Sequence, residues 1–181
     1  MPSPIAHLTA GYAAYALARA YAPKLTLGRV GPIPGLLLLT GGFSLLPDLD
    51  AVAGVLLGDF GRFHNNLTHS LFMGLAVALA FGALMRSQRG SGFWYWVALA
   101  GLCYELHIVM DWMTVGRGVM ALWPFASQRY QAGIPLFYGL HWSEGLFSPR
   151  HLLTAATELV FAVLVLGLVH GFRRRPVAAH N

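Results

Sequence analysis

Residues 93–115 read FWYWVALAGLCYELHIVMDWMTV, an apolar run carrying three ionisable residues, Glu105, His107 and Asp111. A helix crossing a bilayer needs about 20 residues, range roughly 17–25, so this run is long enough to span. His107 and Asp111 are four positions apart. Four residues turn a helix by about 400°, which puts both side chains on one face, one turn apart. A helix offers two ligands to one ion in this way. Glu105 lies about 160° around the helix from His107 and points elsewhere.

Four more apolar stretches lie around this one. Residues 67–85 are nearly free of charge after His69, and residues 33–57 are interrupted by Pro47-Asp48-Leu49-Asp50. Residues 152–172 carry Glu158 and His170, and residues 5–22 are Ala-rich with Arg19 near the far end. The expected fold is all-α, a polytopic membrane helical bundle of about five spans, the first being the weakest. Ser3-Pro4 reads as a helix start, with Ser as cap and Pro at the first helical position. The first stretch lacks a basic leader, so it is read as a retained helix and not as a cleaved signal. Residues 116–151, rich in Gly, Pro and aromatics, are expected to form an ordered loop at the membrane interface. Asn66 or Thr68 is expected to cap the third helix. Residues 1–172 form one expected membrane-embedded domain, and 173–181 a basic tail.

Composition agrees with a membrane protein. The chain has 181 residues, 56% hydrophobic and 10% charged, where an average soluble domain has roughly 25% charged residues. Its mean hydropathy is +0.58. A single Cys excludes a disulfide framework and a Cys-based zinc module. The net charge of +5 comes from 12 Lys and Arg against 7 Asp and Glu. Those basic residues are scattered between apolar runs, apart from Arg173-Arg174-Arg175. Such a distribution suits membrane flanks better than a nucleic-acid-binding face; the expected partner is the lipid bilayer, with no nucleic acid.

With five spans, alternate loops share a side. One side holds Lys24, Arg29, Arg86, Arg89 and Arg173 to Arg175, and the other Arg62, Arg117, Arg129 and Arg150. The positive-inside rule puts the richer set, and with it the C-terminus, in the cytoplasm. His7, Asp48, Asp50, His64, His69, His107, Asp111 and Glu158 then all fall toward the periplasmic side. Leaving Asp48, Asp50, Asp111 and Glu158 against lipid would cost on the order of 10 kcal/mol. No Lys or Arg lies inside spans two to five, so a divalent cation is the simplest compensator. Imidazole and carboxylate together suit zinc, with manganese as the alternative.

At these positions the sequence resembles a family of bacterial and archaeal inner-membrane proteins described as metal-dependent hydrolases, among whose relatives is a protein described as LexA-binding. The matching pieces are Met1-Pro-Ser-Pro-Ile-Ala-His7, Leu46-Pro47-Asp48-Leu49-Asp50, His64-Asn-Asn-Leu-Thr-His69-Ser70 and His107-Ile-Val-Met-Asp111, followed by Gly116 and Trp123-Pro124-Phe125. That family often carries a basic and then a small residue after the first His of the third motif; here both places are Asn, Asn65 and Asn66. The resemblance implies a membrane-bound, metal-dependent hydrolase.

The resulting expectation has one or two ions held by His7, Asp48, His64, His69, His107 and Asp111. Asp50 or Glu158 takes the proton of the attacking water. A site at the bilayer edge suits an amphipathic, lipid-like ester or phosphoester. The competing expectation is a non-catalytic membrane interaction or stress-response protein with a structural metal. A proton-coupled or metal transporter ranks last, because the inner halves of the spans lack polar groups apart from His170.

Overall fold

Pro47 sets the course of the second apolar stretch. It has no N–H to donate back along a helix, so the α-helical ladder stops at Leu45. A 3-10 turn, Leu46–Asp48, follows, and the α-helix restarts at Leu49, whose N–H bonds back to Leu46 and Pro47. The interruption foreseen at Pro47-Asp48-Leu49-Asp50 is therefore present, and it falls where the two carboxylates must be aimed.

The computed structural model of the chain describes residues 1–21, 34–58, 63–89, 92–140 and 148–173. Its helices are α1 (Pro4–Tyr21), α2 (Pro34–Leu45), α3 (Leu49–Leu56), α4 (Leu71–Arg89), α5 (Phe93–Trp112) and α6 (Arg150–Arg173), with a second 3-10 turn at Leu67–His69. The fold is all-α: two isolated bridges are the only extended pairings among the described residues. The α1 helix packs against α2, α5 and α6, while α4 pairs with α5 and α2 also packs on α5.

Four segments are long and apolar enough to cross a membrane: Gly35–Leu56, Leu71–Gln88, Phe93–Trp112 and Arg150–Gly171. The first expected span differs from these. At 18 residues, α1 is about 27 Å long, but its composition is that of a packed helix. Ala6, Ala10, Ala14 and Ala18 recur every four residues and are buried. A stripe of small residues lets neighbouring backbones approach closely. At Gly11 a Cβ would lie 2.7 Å from Ser44 Oγ and 3.0 Å from the Thr40 carbonyl, so α1 and α2 meet where only hydrogen fits. Large apolar side chains instead face outward from the four candidate spans: Leu152, Leu159, Val160, Val163, Leu164 and Leu168 of α6 are all exposed. Five of the eleven residues on which the orientation argument rests, Lys24, Arg29, Arg62, Arg174 and Arg175, lie outside the described residues.

Residues 113–140 form the expected non-helical loop, tied down by backbone bonds. Val119 and Tyr130 exchange bonds of 2.9 and 2.8 Å, Leu71 N–H donates to the Ala121 carbonyl, and Leu140 N–H to the Met1 carbonyl. Thr154 Oγ1 donates to the Gly139 carbonyl at 2.6 Å. The strap thus touches the ends of α4, α5, α6 and the start of the chain. Gly118 sits at φ +75°, where a Cβ would meet the Tyr130 carbonyl oxygen at 2.5 Å, so only Gly permits the Val119–Tyr130 pairing.

Ser3 serves as the foreseen cap: its Oγ accepts the Ile5 N–H at 3.2 Å. The expected cap of α4 is corrected. Ser70, not Asn66 or Thr68, accepts the Phe72 N–H at 3.2 Å. Ser70 is extended (φ −112°, ψ 139°), as an N-cap requires, while Thr68 is one 3-10 turn upstream and its hydroxyl is used elsewhere.

Candidate metal centre

Four chain segments bring their polar residues to one point. The Pro47 break supplies Asp48 and Asp50, the polar turn before α4 supplies His64 and His69, the end of α5 supplies His107 and Asp111, and the start of α1 supplies His7. His7, His69, His107 and Asp111 are buried, and the Asp48 and Asp50 side chains keep 14% and 8% exposure. The centre therefore opens toward the two carboxylates.

Four ligand atoms define the centre. His69 Nε2 lies 3.0 Å from Asp111 Oδ2, 3.2 Å from His107 Nε2 and 3.7 Å from Asp48 Oδ1. His107 Nε2 lies 3.6 Å from Asp48 Oδ1 and 3.7 Å from Asp111 Oδ2. All four atoms are within 4.8 Å of one another. An ion with ligands at 2.0–2.2 Å in tetrahedral geometry holds neighbouring ligand atoms roughly 3.4 Å apart. Five of the six edges of this two-nitrogen, two-oxygen set, 3.0–3.7 Å, cluster around that value.

Hydrogen bonding on the far side of each ring aims the lone pairs inward. His107 Nδ1 donates to the Ser44 carbonyl at 2.7 Å, which leaves Nε2 as the lone-pair atom. His69 Nδ1 lies 3.1 Å from Asp50 Oδ2, which directs its Nε2 to the cluster. Both oxygens of Asp48 and both of Asp111 are buried without a hydrogen bond. Buried acceptors without a donor are costly, and a cation at the common centre satisfies one oxygen of each carboxylate. The residues present therefore fit a divalent ion. His69, in the 3-10 turn ahead of α4, feels the same field: burial disfavours its charged form, but Asp111, Asp48 and Asp50 outweigh burial and raise its pKa well above the ordinary value.

A second set, Asp48, Asp50, His64 and His69, also falls within 4.8 Å. Here the contacts are already hydrogen-bonding ones. Asp50 Oδ1 is 2.9 Å from His64 Nδ1, and Asp50 Oδ2 accepts from Thr68 Oγ1 at 2.6 Å. Asp50 is thus the carboxylate that orients two imidazoles, the usual companion of a metal-binding His. His7 stands beside the four-atom set: its ring stacks on His107 with centroids 3.7 Å apart, and its Nε2 is 3.5 Å from Asp111 Oδ1.

Glu158 is placed differently. Its oxygens receive the Ser3 N–H at 2.6 Å and the Ser3 hydroxyl, which ties α6 to the start of α1. It is in neither ligand group. Glu105 points to α4, its Oε1 lying where a Gly74 Cβ would stand, as its helix phase requires. His170 meets Tyr12 at 3.5 Å, and His141 lies outside the described residues.

Several contributors carry no signal in the sequence. Ser44 acts through its carbonyl, which any residue possesses. Arg117 Nη2 donates to the His64 carbonyl. Arg129 Nη1 donates to the carbonyls of Asn65 at 3.0 Å and Gly118 at 3.1 Å, and its Nη2 donates to Asn66 Oδ1. The loop thus brings positive charge to the turn where Asn65 and Asn66 stand. A cavity of about 620 Å³ opens beside Asp50, with apolar walls that include Leu49, Ala53, Phe63 and Leu67.

No curated protein and no solved structure matches the chain. The profile of one family, described as YdjM inner membrane protein, matches residues 1–175. That match takes in every segment that builds the centre, together with the four helices apolar enough to cross a membrane. The chain therefore belongs to the YdjM inner membrane protein family.

Proposed function

We propose that the protein is a membrane-embedded, metal-dependent hydrolase acting on an ester or phosphoester of an amphipathic, lipid-like substrate at the periplasmic face. The convergence of Asp48, His69, His107 and Asp111, whose ligand atoms lie within 4.8 Å of one another, carries this reading. Zinc fits two imidazoles and two carboxylates best, with manganese second. When bound, such an ion supplies a Lewis acid that acidifies water and polarises an ester oxygen. The chain does the rest. Ser44 and Asp50 hold His107 and His69 in register. Asp50 with His64, hydrogen-bonded at 2.9 Å on the more open side of the centre, receives the proton of the attacking water and returns it to the leaving alcohol. Glu158, engaged by Ser3, holds helices together.

The test is the metal content of protein purified in detergent after growth in replete medium. About one equivalent of zinc or manganese is expected, lost in His107→Ala and Asp111→Ala. Turnover of a lipid ester and phosphoester panel should disappear with it. Less than about 0.2 equivalents of any transition metal in the wild type overturns the proposal. Stoichiometric metal without turnover of any lipid favours the structural-metal, non-catalytic reading.

A further inference from the structure

Glu105 is the acid of the described residues that neither the candidate centre nor the tie to Ser3 uses. It lies on the candidate span α5, about 18 Å along the helix from Phe93, well inside a hydrocarbon core some 30 Å thick. Its carboxyl rests against α4 at Gly74, where a Cβ would collide with Oε1. Glycine leaves a notch there, but nothing donates into it. Oε2 is buried without a hydrogen bond, and every ion pair among the described residues joins a His to an Asp. Lipid tails have no donor to offer, so a carboxyl at this depth is costly until another protein group pairs with it.

The surface around Glu105 is open. Trp94, Ala98, Leu102, Val109 and Trp112 are exposed, and Glu105 stands half-buried among them. Their spacing puts all six within about 80° of the surface of α5. His107 and Asp111 are buried, about 180° around the helix from the middle of this stripe. The stripe is thus separate from the candidate centre. We infer that it is a self-association surface: a second copy of the chain lays the same stripe against it about a two-fold axis along the membrane normal, and the two Glu105 carboxyls hydrogen-bond to each other. The chemistry of the stripe selects a second copy. Its partner must bring a donor to the depth of Glu105, within hydrocarbon. A two-fold axis along the membrane normal sets every residue opposite its own equivalent, at the same depth. A protonated carboxyl both donates and accepts, so two of them satisfy each other. Polar side chains join transmembrane helices in this way, and small residues let the backbones close up. Ala98, two turns from Glu105 on the same face, supplies the small residue.

Energy transfer between donor- and acceptor-labelled full-length chains in phosphatidylcholine vesicles tests this, with the label at exposed Ser87→Cys in a Cys103→Ala background. Transfer is expected in the wild-type stripe and should fall as lipid is added. Glu105→Leu should need about tenfold or more protein per lipid to reach the same transfer, with metal content unchanged. Glu105→Gln, whose amide also donates and accepts, should associate within about threefold of Glu105. Disulfide formation under copper phenanthroline locates the face without altering Glu105: Ala98→Cys should cross-link, and Leu164→Cys on the exposed side of α6 should not. No transfer at any dilution overturns the inference. Association of Glu105→Leu equal to that of the wild type also overturns it, as does cross-linking at Leu164 in place of Ala98. Loss of association in Glu105→Gln would mean that an ionised carboxylate is recognised by a cationic partner, and overturns the second copy. Metal content and lipid turnover test the hydrolase reading separately, so either can fail alone.

Discussion

Asp50 and Asp48 are two residues apart and have opposite tasks. Asp48 keeps both oxygens free of hydrogen bonds and close to two imidazole nitrogens. Asp50 is bound to His64, His69 and Thr68. Asp50→Asn should therefore weaken metal binding roughly 10–100-fold without abolishing it, as expected for a residue that orients a ligand. Competition against a chelator of known affinity measures this; complete loss of metal would make Asp50 a ligand itself. Glu158 is a separate case. Glu158→Gln removes a charge-assisted bond to Ser3 and should cost about 1–3 kcal/mol of stability, with metal stoichiometry unchanged. A lower melting temperature with full metal content is the expected pair of results. Loss of metal would move Glu158 into the site.

At the scale of elements, two helix pairs depend on glycine. Gly11 lets α1 approach α2, and Gly82 lets α4 approach α5, where a Cβ would lie 2.4 Å from Val97 Cγ2. Gly11→Leu and Gly82→Leu should each lose about 1–3 kcal/mol through overpacking. They should differ in metal binding. Gly11 lies one turn from His7, and its contact is with Ser44, whose carbonyl orients His107. Gly82 sits beside Phe93 and Val97, at the opposite end of α5 from His107 and Asp111. Chelator competition on both variants should show weakened affinity for Gly11→Leu alone.

For the whole molecule, the centre joins α1, α5, the Pro47 break and the turn before α4. Anything that binds only the folded state stabilises it, by about 2.7 kcal/mol when free ligand is 100 times its Kd. Removing the ion should therefore lower the melting temperature in detergent. His107→Ala should melt at the same temperature with or without chelator. A wild-type melting temperature indifferent to chelator would mean that no ion links these helices.

The sequence by itself determined the helical class, the candidate spans, the break at Pro47 and the pairing of His107 with Asp111. Each depends on hydropathy, a missing N–H or a fixed rotation per residue, all local properties. Tertiary structure alone decided which atoms converge and what role each takes. It separated Asp48 from Asp50, sent Glu158 to Ser3, packed α1 through its alanine stripe among the other helices, and carried Arg129 to Asn65 and Asn66. Those outcomes depend on contacts between residues far apart in the chain, and on a backbone carbonyl at Ser44 that no side-chain pattern encodes.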